Sequence, residues 1–443
     1  MNCDCEFCKF DFPVSLPEHL IESLLAGELV IFAGAGISTE SSRVLKYTFY
    51  DEIEGLVPGA GRSLSFPELM QRFVDLPDGR LKLLQLIRRR FEHIDSFPEL
   101  NMSASRFHRE LGTLFLVNEI VTTNWDTYFE THCHATSFVT DPDIALWNAV
   151  RRKVLKIHGS IQNLGSIVAT TSDYVACLTR LSTELIGSQL KNILATRTVV
   201  FIGYSLRDSD FLQLYGFVKQ QLDSLHRKAY VVTPFAEEAT RLEQEGLIAI
   251  RTDGTFFIRQ LKTHLVAMGA MIRDDVFDAA SRLLALVRAE HTRLHERVKM
   301  DRLPELIYAA SYQDGLMHAL DRALQMQGSG EYSHPCYIGG KVRAYETLKK
   351  EKRSAKRYED VAYIEGYTNG MVFLAVANTE DRPVRPPLYF TFGQKSDLYS
   401  LTSFLRLFSR GSVPHEAARK RAQRLISKFE DPRSVEFHHP PWL

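Results

Sequence analysis

The chain has 443 residues, 45% of them hydrophobic and 24% charged, which allows two or three domains with a large core. Lysine plus arginine and aspartate plus glutamate both number 54, which excludes a global field that would recruit nucleic acid. No apolar run reaches the ~18 residues needed to span a bilayer, and Met1–Phe10 does not read as a signal peptide, so no membrane partner is expected.

Met1–Phe12 carries Cys3-x-Cys5-x-x-Cys8. Three thiols so spaced could hold part of a metal site with His19 as a fourth ligand, but the expectation is a terminus without metal. Only Cys133, Cys177 and Cys336 follow, too sparse for a disulfide framework, which points to a reducing cytoplasm. Leu16–Ala26 reads as a helix leading into the strand Leu29–Ala33, apolar throughout as in a strand covered on both faces. Gly34, Ala35 and Gly36 then leave no bulk, so the backbone can turn and lie against a ligand. Ser38, Thr39 and Ser41 offer N-cap oxygens, and free N–H groups at a helix start attract phosphate. The stretch reads as a nucleotide pyrophosphate site, although a third glycine and an acidic residue about 20 positions on are missing.

Ser41–Pro98 reads as helix and loop, with Leu81, Leu84, Ile87, Phe91 and Ile94 at helical spacing, forming a cover over the cleft. Phe107–Phe115 is a further helix. The strand Glu119–Thr123 ends in Thr122-Thr123-Asn124-Trp125-Asp126, and His132-Cys133-His134 reads as a helix-end surface cluster rather than a metal site. Lys153–Ile157 ends in His158-Gly159-Ser160, and Thr198–Ile202 in Gly203-Tyr204-Ser205, with Asp208 and Asp210 expected as a helix cap and a first-turn charge. Ala229–Thr233 and Leu247–Ile250 complete at least five strands alternating with helices. That order predicts an α/β fold, a doubly wound, Rossmann-like parallel sheet, with ligand-binding residues at the carboxyl ends of its strands.

The set GAGIS at Gly34–Ser38, TTNWD at Thr122–Asp126, His158-Gly159 and GYS at Gly203–Ser205 resembles the sirtuin family over roughly residues 16–265. Thr123 stands where the family has glutamine. The I-P-D-F-R motif of protein-deacylating sirtuins and the paired CxxC of their zinc module are absent, and Gly203–Asp210 is similar to the bacterial sirtuin-like NAD hydrolases of antiphage defence. The resemblance implies NAD as substrate, with Asp126 on the carboxamide and Asn124 orienting water and ribose hydroxyls. It implies His158 as general base, and Gly34, Ala35, Gly36, Ser38, Gly203 and Ser205 holding phosphates and the adenosine ribose. No metal is expected. The expected function is an NAD⁺ glycohydrolase that depletes NAD as a gated defence effector. The alternatives are a protein deacylase or ADP-ribosyltransferase, or a non-catalytic nucleotide-sensing subunit.

Ile272–Met300 reads as a long amphipathic helix, with Val276, Ala280, Leu283, Val287, Leu294 and Val298 in a heptad-like rhythm broken at Glu290. It suggests a bridge between domains or a subunit contact, and Gly328–Gly330 a linker. Beyond it, Val361–Tyr367 and Met371–Asn378 flank Thr368-Asn369-Gly370, an Asn-Gly hairpin signal, and Pro387–Phe392 adds a strand. The eight basic residues of Lys341–Arg357 read as an exposed basic helix. The expected domains are a catalytic domain at 1–271, a helical connector at 272–330, and a small α+β domain at 331–443. That last domain is expected to mediate homo-oligomer assembly or to dock a partner, such as a nucleic-acid motor ATPase or a phage trigger.

Overall fold

The computed structural model describes residues 8–59, 64–204, 209–223, 227–377, 385–409 and 415–440. It forms two compact units, Met1–His264 with Gly328–Gly330, and Leu265–Gln327 with Glu331–Leu443. The first contains β1 (Leu29–Ala33), β2 (Glu119–Thr122), β3 (Thr136–Phe138), β4 (Lys153–Lys156), β5 (Thr198–Ile202), β6 (Tyr230–Thr233) and β7 (Ile248–Arg251). These strands pair in parallel in the order β3-β4-β2-β1-β5-β6-β7. The doubly wound Rossmann-like sheet expected from the alternation of elements is the fold observed. Every residue of β1 and β5 is buried, because helices cover both faces and only uninterrupted apolar side chains suit that position. The three-residue edge strand β3 was too short to stand out in the pattern.

Register decides where the motifs meet. Ala33 lies level with Thr122 and Ile202, and Thr122 with Lys156, so β1, β2, β4 and β5 end on one line. The chain winds away from β1 in both directions, through β2 on one side and β5 on the other, which opens a crevice at their carboxyl ends. Around the sheet run α1 (Glu18–Leu25), α2 (Phe49–Glu54), α3 (Phe66–Val74), α4 (Gly79–Ser96), α5 (Pro98–Ala104), α6 (Arg106–Gly112) and α7 (Tyr128–Cys133). Five more follow: α8 (Thr171–Thr183), α9 (Leu185–Thr196), α10 (Ser209–Leu222), α11 (Ala236–Gln244) and α12 (Gly254–Ala267). Helices α2 to α4 carry a small core of their own, including Phe49, Ile53, Leu69, Phe73, Leu83, Ile87 and Phe91, onto which Trp125 packs. The buried stripe of α4 runs through Leu83, Ile87, Arg90, Phe91 and Ile94, whereas Leu81, expected inside, is 61% exposed.

The second unit is helical: α13 (Asp275–Arg297), α14 (Leu306–Gln325), α15 (Pro335–Ser354), α16 (Tyr358–Val376), α17 (Leu401–Ser409) and α18 (Glu416–Ile426). The expected α+β domain is corrected here. Val361–Val376 is one helix without a hairpin, and the expected strand at 387–392 contributes a single bridge, Tyr389 with Leu398. The glycines explain the misreading. A Cβ on Gly366 would come 1.9 Å from the Tyr312 carbonyl oxygen, and one on Gly315 would come 1.9 Å from that of Tyr363. Gly366 and Gly370, one turn apart, therefore let α16 lie backbone to backbone against α14. Asn369, read as a turn residue, donates from Nδ2 to the Tyr312 hydroxyl at 3.0 Å.

Residues of the expected connector share one core with this helical region: Val276, Ala280, Leu283, Val287 and Leu294 of α13 pack with Tyr308, Tyr312, Tyr363 and Leu374. The break at Glu290 is a buried carboxylate that accepts from Tyr389 Oη at 2.5 Å and from Arg293 at 2.5 Å. Gly328–Gly330 is no linker. It packs into the first unit, where Arg152 Nη1 donates to the Gly328 carbonyl at 3.0 Å and Gly330 adopts φ 73° against Phe115. The basic run lies mostly in α15 and is partly paired: Lys349 reaches Glu365 at 3.0 Å, and Arg357 reaches Asp360 at 2.8 Å.

Candidate active site

Gly34, Ala35 and Gly36 leave β1 in a single 3-10 turn, Ala35–Ile37, and no long helix follows. They also hold a contact between two loops. The amide of Gly36 donates to the Gly203 carbonyl at 3.0 Å, and those of Ile37 and Ser38 donate within the loop. A Cβ on Gly34 would meet the Gly203 oxygen at 2.4 Å, and Gly203 itself holds φ 62°. The glycines are thus required where the loops after β1 and β5 touch. Ser38, expected as a helix N-cap, instead closes the 3-10 turn and lines the crevice. Ser205 and Asp208 lie outside the described residues.

Two cavities of about 390 Å³ and 380 Å³ flank this contact, and Gly36, Glu40, Gly203 and Tyr204 line both. The first also collects Ala35, Ser38, Asn124, Asp126 and His158. The turn after β2 is tightly held: Thr122 Oγ1 donates to the Ala33 carbonyl at 2.9 Å and accepts from the Asn124 amide at 3.0 Å. Asn124 Nδ2 donates to the Gly34 carbonyl at 3.2 Å and to Ser38 Oγ at 3.3 Å, and Ser38 Oγ donates to Asp126 Oδ2 at 2.9 Å. Both side-chain donors of Asn124 are thereby directed at the loop after β1. Its Oδ1 is buried and has no hydrogen-bond partner among the described residues. The fully buried Lys156 ammonium holds the turn from below through the Asp126 carbonyl and Glu130.

His158 follows β4 and is 3% exposed, its ring 5.0 Å from that of Tyr174 and its carbonyl accepting from the Val168 amide at 3.0 Å. Gly159 must be glycine, since φ is 86° and a Cβ would fall 2.2 Å from the Ser166 carbonyl oxygen. The cover closes the cavity with Phe49, Tyr50, Phe66, Ile87, Arg90 and Phe91.

Glu40 and Arg90 escaped the sequence reading. Arg90 is 6% exposed, pairs with Glu40 at 3.1 Å and donates to the Tyr47 carbonyl at 3.1 Å. Burial raises the Glu40 carboxyl above its usual range, against the pull of the Arg90 guanidinium and the Phe49 amide. The missed signal was a charge on the apolar stripe of α4, between Ile87 and Phe91.

Cys3 and Cys5 lie outside the described residues, and among the described residues His132, Cys133 and His134 do not converge as metal ligands. Cys133 is buried with Sγ on the His108 carbonyl at 3.1 Å, burial pushing its pKa up to about 12.

Beneath the turn, His108 is fully buried among Phe107, Tyr128 and Phe129. Burial lowers its pKa from 6.5 to about 4, despite the Asp126 charge. In the unfolded chain the same group protonates near 6.5, so between those values the unfolded state binds the extra proton. Stability is expected to fall as pH drops through this window, by up to about 1.4 kcal/mol per pH unit from this group. Urea unfolding at pH 7 and pH 5 should show the loss, and His108→Leu should reduce it; an equal loss in the variant would disprove the assignment.

Residues 118–250 match the SIR2-like domain family, a span that includes Asn124, Asp126, His158 and Gly203. That span is similar to a sirtuin-like domain. It is 26% identical over 257 residues to defense-associated sirtuin 2 of Bacillus subtilis, covering 54% of this chain and 23% of that protein. It is 28% identical over 224 residues to the NAD(+) hydrolase ThsA of Cytobacillus dafuensis, covering 48% of this chain and 43% of that protein. The chain therefore matches less than half the length of either relative. One is named for defence and the other for NAD hydrolysis, the two halves of the resemblance drawn from the four motifs. The first unit brings Gly36, Asn124, His158 and Gly203 to one crevice, the glycine loop lying outside the matched span.

Proposed function

We propose that the sirtuin-like domain is an NAD⁺ glycohydrolase that releases nicotinamide and ADP-ribose, acting as a gated effector of antiphage defence. The observation that supports this best is Asn124, which lines the same cavity as His158 and whose amide donors are engaged while its buried Oδ1 has no hydrogen-bond partner among the described residues. Breaking the nicotinamide–ribose bond sends its electron pair to the departing ring and leaves an oxocarbenium-like ribose. Such a reaction calls for positioning more than for a strong nucleophile. In this reading Asn124 Oδ1 orients the water that adds to the ribose carbon, and His158 engages the ribose hydroxyls and serves as general base. Asp126, fixed by Ser38, binds the carboxamide. The two cavities on either side of the Gly36–Gly203 contact suit the two ends of a dinucleotide.

An NAD hydrolase free to turn over would drain its own cell, so the reading includes control. Glu331–Leu443 is proposed to mediate assembly with a second copy or with a partner, such as a nucleic-acid motor or a phage protein. The decisive experiment incubates the full chain with NAD, with and without an acyl-peptide and over a range of protein concentrations, and identifies products by mass spectrometry. Nicotinamide and ADP-ribose in equal amounts, independent of peptide, are expected. Formation of O-acyl-ADP-ribose would instead establish deacylation, and intact NAD in an assembled, properly folded sample would favour a sensing role.

A further inference from the structure

We propose that His291, Asp314 and His438 of the helical unit, with His295 beside them, bind a divalent cation of the zinc type. This revises the expectation of a metal-free chain and is independent of the active-site reading. One ligand atom from each of His291 on α13, Asp314 on α14 and His438 in the C-terminal segment lies within 4.8 Å of the others, Asp314 and His438 being 124 positions apart. His291 and His295 stand one turn apart on α13, so their side chains share a face. The three imidazoles crowd together: ring centroids are 4.6 Å apart for His291 and His295, 4.9 Å for His291 and His438, and 6.0 Å for His295 and His438.

Hydrogen bonds settle which nitrogen of His291 is available. Gln313 Nε2 donates to the Leu388 carbonyl at 3.0 Å, so Gln313 Oε1 faces His291 Nδ1 at 3.1 Å as an acceptor. The His291 proton then resides on Nδ1, and Nε2 presents a lone pair. That atom is buried without a partner among the described residues, and so is Nε2 of His295, in residues 6% and 8% exposed. This is the arrangement of a metal-binding histidine, one ring nitrogen oriented by a fixed acceptor and the other free to ligate. Asp314 is held likewise: Oδ2 accepts from the His439 amide at 2.6 Å, which leaves Oδ1 toward His438 Nδ1 at 3.3 Å. Imidazole nitrogens with one carboxylate oxygen suit Zn²⁺, and metal–ligand distances near 2.0–2.2 Å require the donors to close by about 1 Å. The exposed His438 side chain, on the C-terminal segment, can supply that movement. A bound ion would tie α13, α14 and this segment together, which stabilises the native chain because the unfolded chain cannot present the site.

The test uses the full chain stripped with chelator and titrated with Zn²⁺ alone, read by calorimetry and by thermal unfolding. One zinc per chain and a higher Tm are expected, with no comparable response to Mg²⁺. His438→Gln, a change at an exposed side chain, should abolish the binding, as should His291→Gln. Gln313→Met should weaken it by roughly 10–100-fold. Serine at Cys3, Cys5 and Cys8 should leave it intact. Absence of zinc binding to the folded chain, or binding that survives His438→Gln and disappears with the cysteines, would overturn the proposal.

Discussion

Asn124→Ala is expected to reduce NAD cleavage by about 10²–10³-fold, the usual loss when one pre-positioned polar group is removed from a reacting centre. The side chain makes two hydrogen bonds, to the Gly34 carbonyl and Ser38 Oγ, so the variant should also lose about 1–3 kcal/mol of stability. The two effects separate by measurement. Turnover followed by nicotinamide release should collapse at temperatures where circular dichroism still shows a folded chain. Ser38→Ala provides the contrast. It removes the hydroxyl that links Asn124 to Asp126 while keeping Asn124 itself, so its loss should be smaller and should fall more on KM if Asp126 grips the carboxamide. Wild-type turnover by a folded Asn124→Ala protein would show that Asn124 does not position the reacting groups.

The largest stability effect is expected at the crossing of α14 and α16. Gly366→Ala or Gly315→Ala would place a methyl 1.9 Å from a carbonyl oxygen of the facing helix. Backbone cannot rotate aside as a side chain can, so the helices must separate. The cost should reach or exceed the upper part of the 1–3 kcal/mol usual for overpacking. Because each glycine relieves the same contact, the double variant should lose less than the sum of the single ones. Gly340→Ala is the control. That glycine lies in α15 with nothing within 4 Å of the added methyl, and alanine there should stabilise by about 0.5–1 kcal/mol. Chemical unfolding of the three variants would decide the matter; equal stabilities for Gly366→Ala and Gly340→Ala would refute the backbone contact.

The same glycines show where reading by local pattern stops. Asn369-Gly370 carries the local chemistry of a tight turn, and only the neighbouring helix makes Gly366 and Gly370 a packing face. Strands β1 and β5 were legible to the residue because burial on both faces requires an unbroken apolar run, a condition written in consecutive positions. Asn124, Asp126, His158 and Gly203 were legible for a related reason. A parallel sheet presents the carboxyl end of each strand to the same crevice, so polar residues directly after strands converge whatever the loops between them do.

What the sequence alone determined, then, is the sheet, its polarity and the residues it delivers to the crevice, all set by short-range patterns and the geometry of parallel strands. What only the tertiary structure decided depends on partners distant along the chain. It showed that Gly34 and Gly36, expected to hold phosphate, also serve a loop contact with Gly203. It placed Arg90 on the buried stripe of α4 beside Glu40. It also gathered His291, Asp314 and His438 around one point. No local preference encodes such encounters, because each exists only after helices and strands have packed.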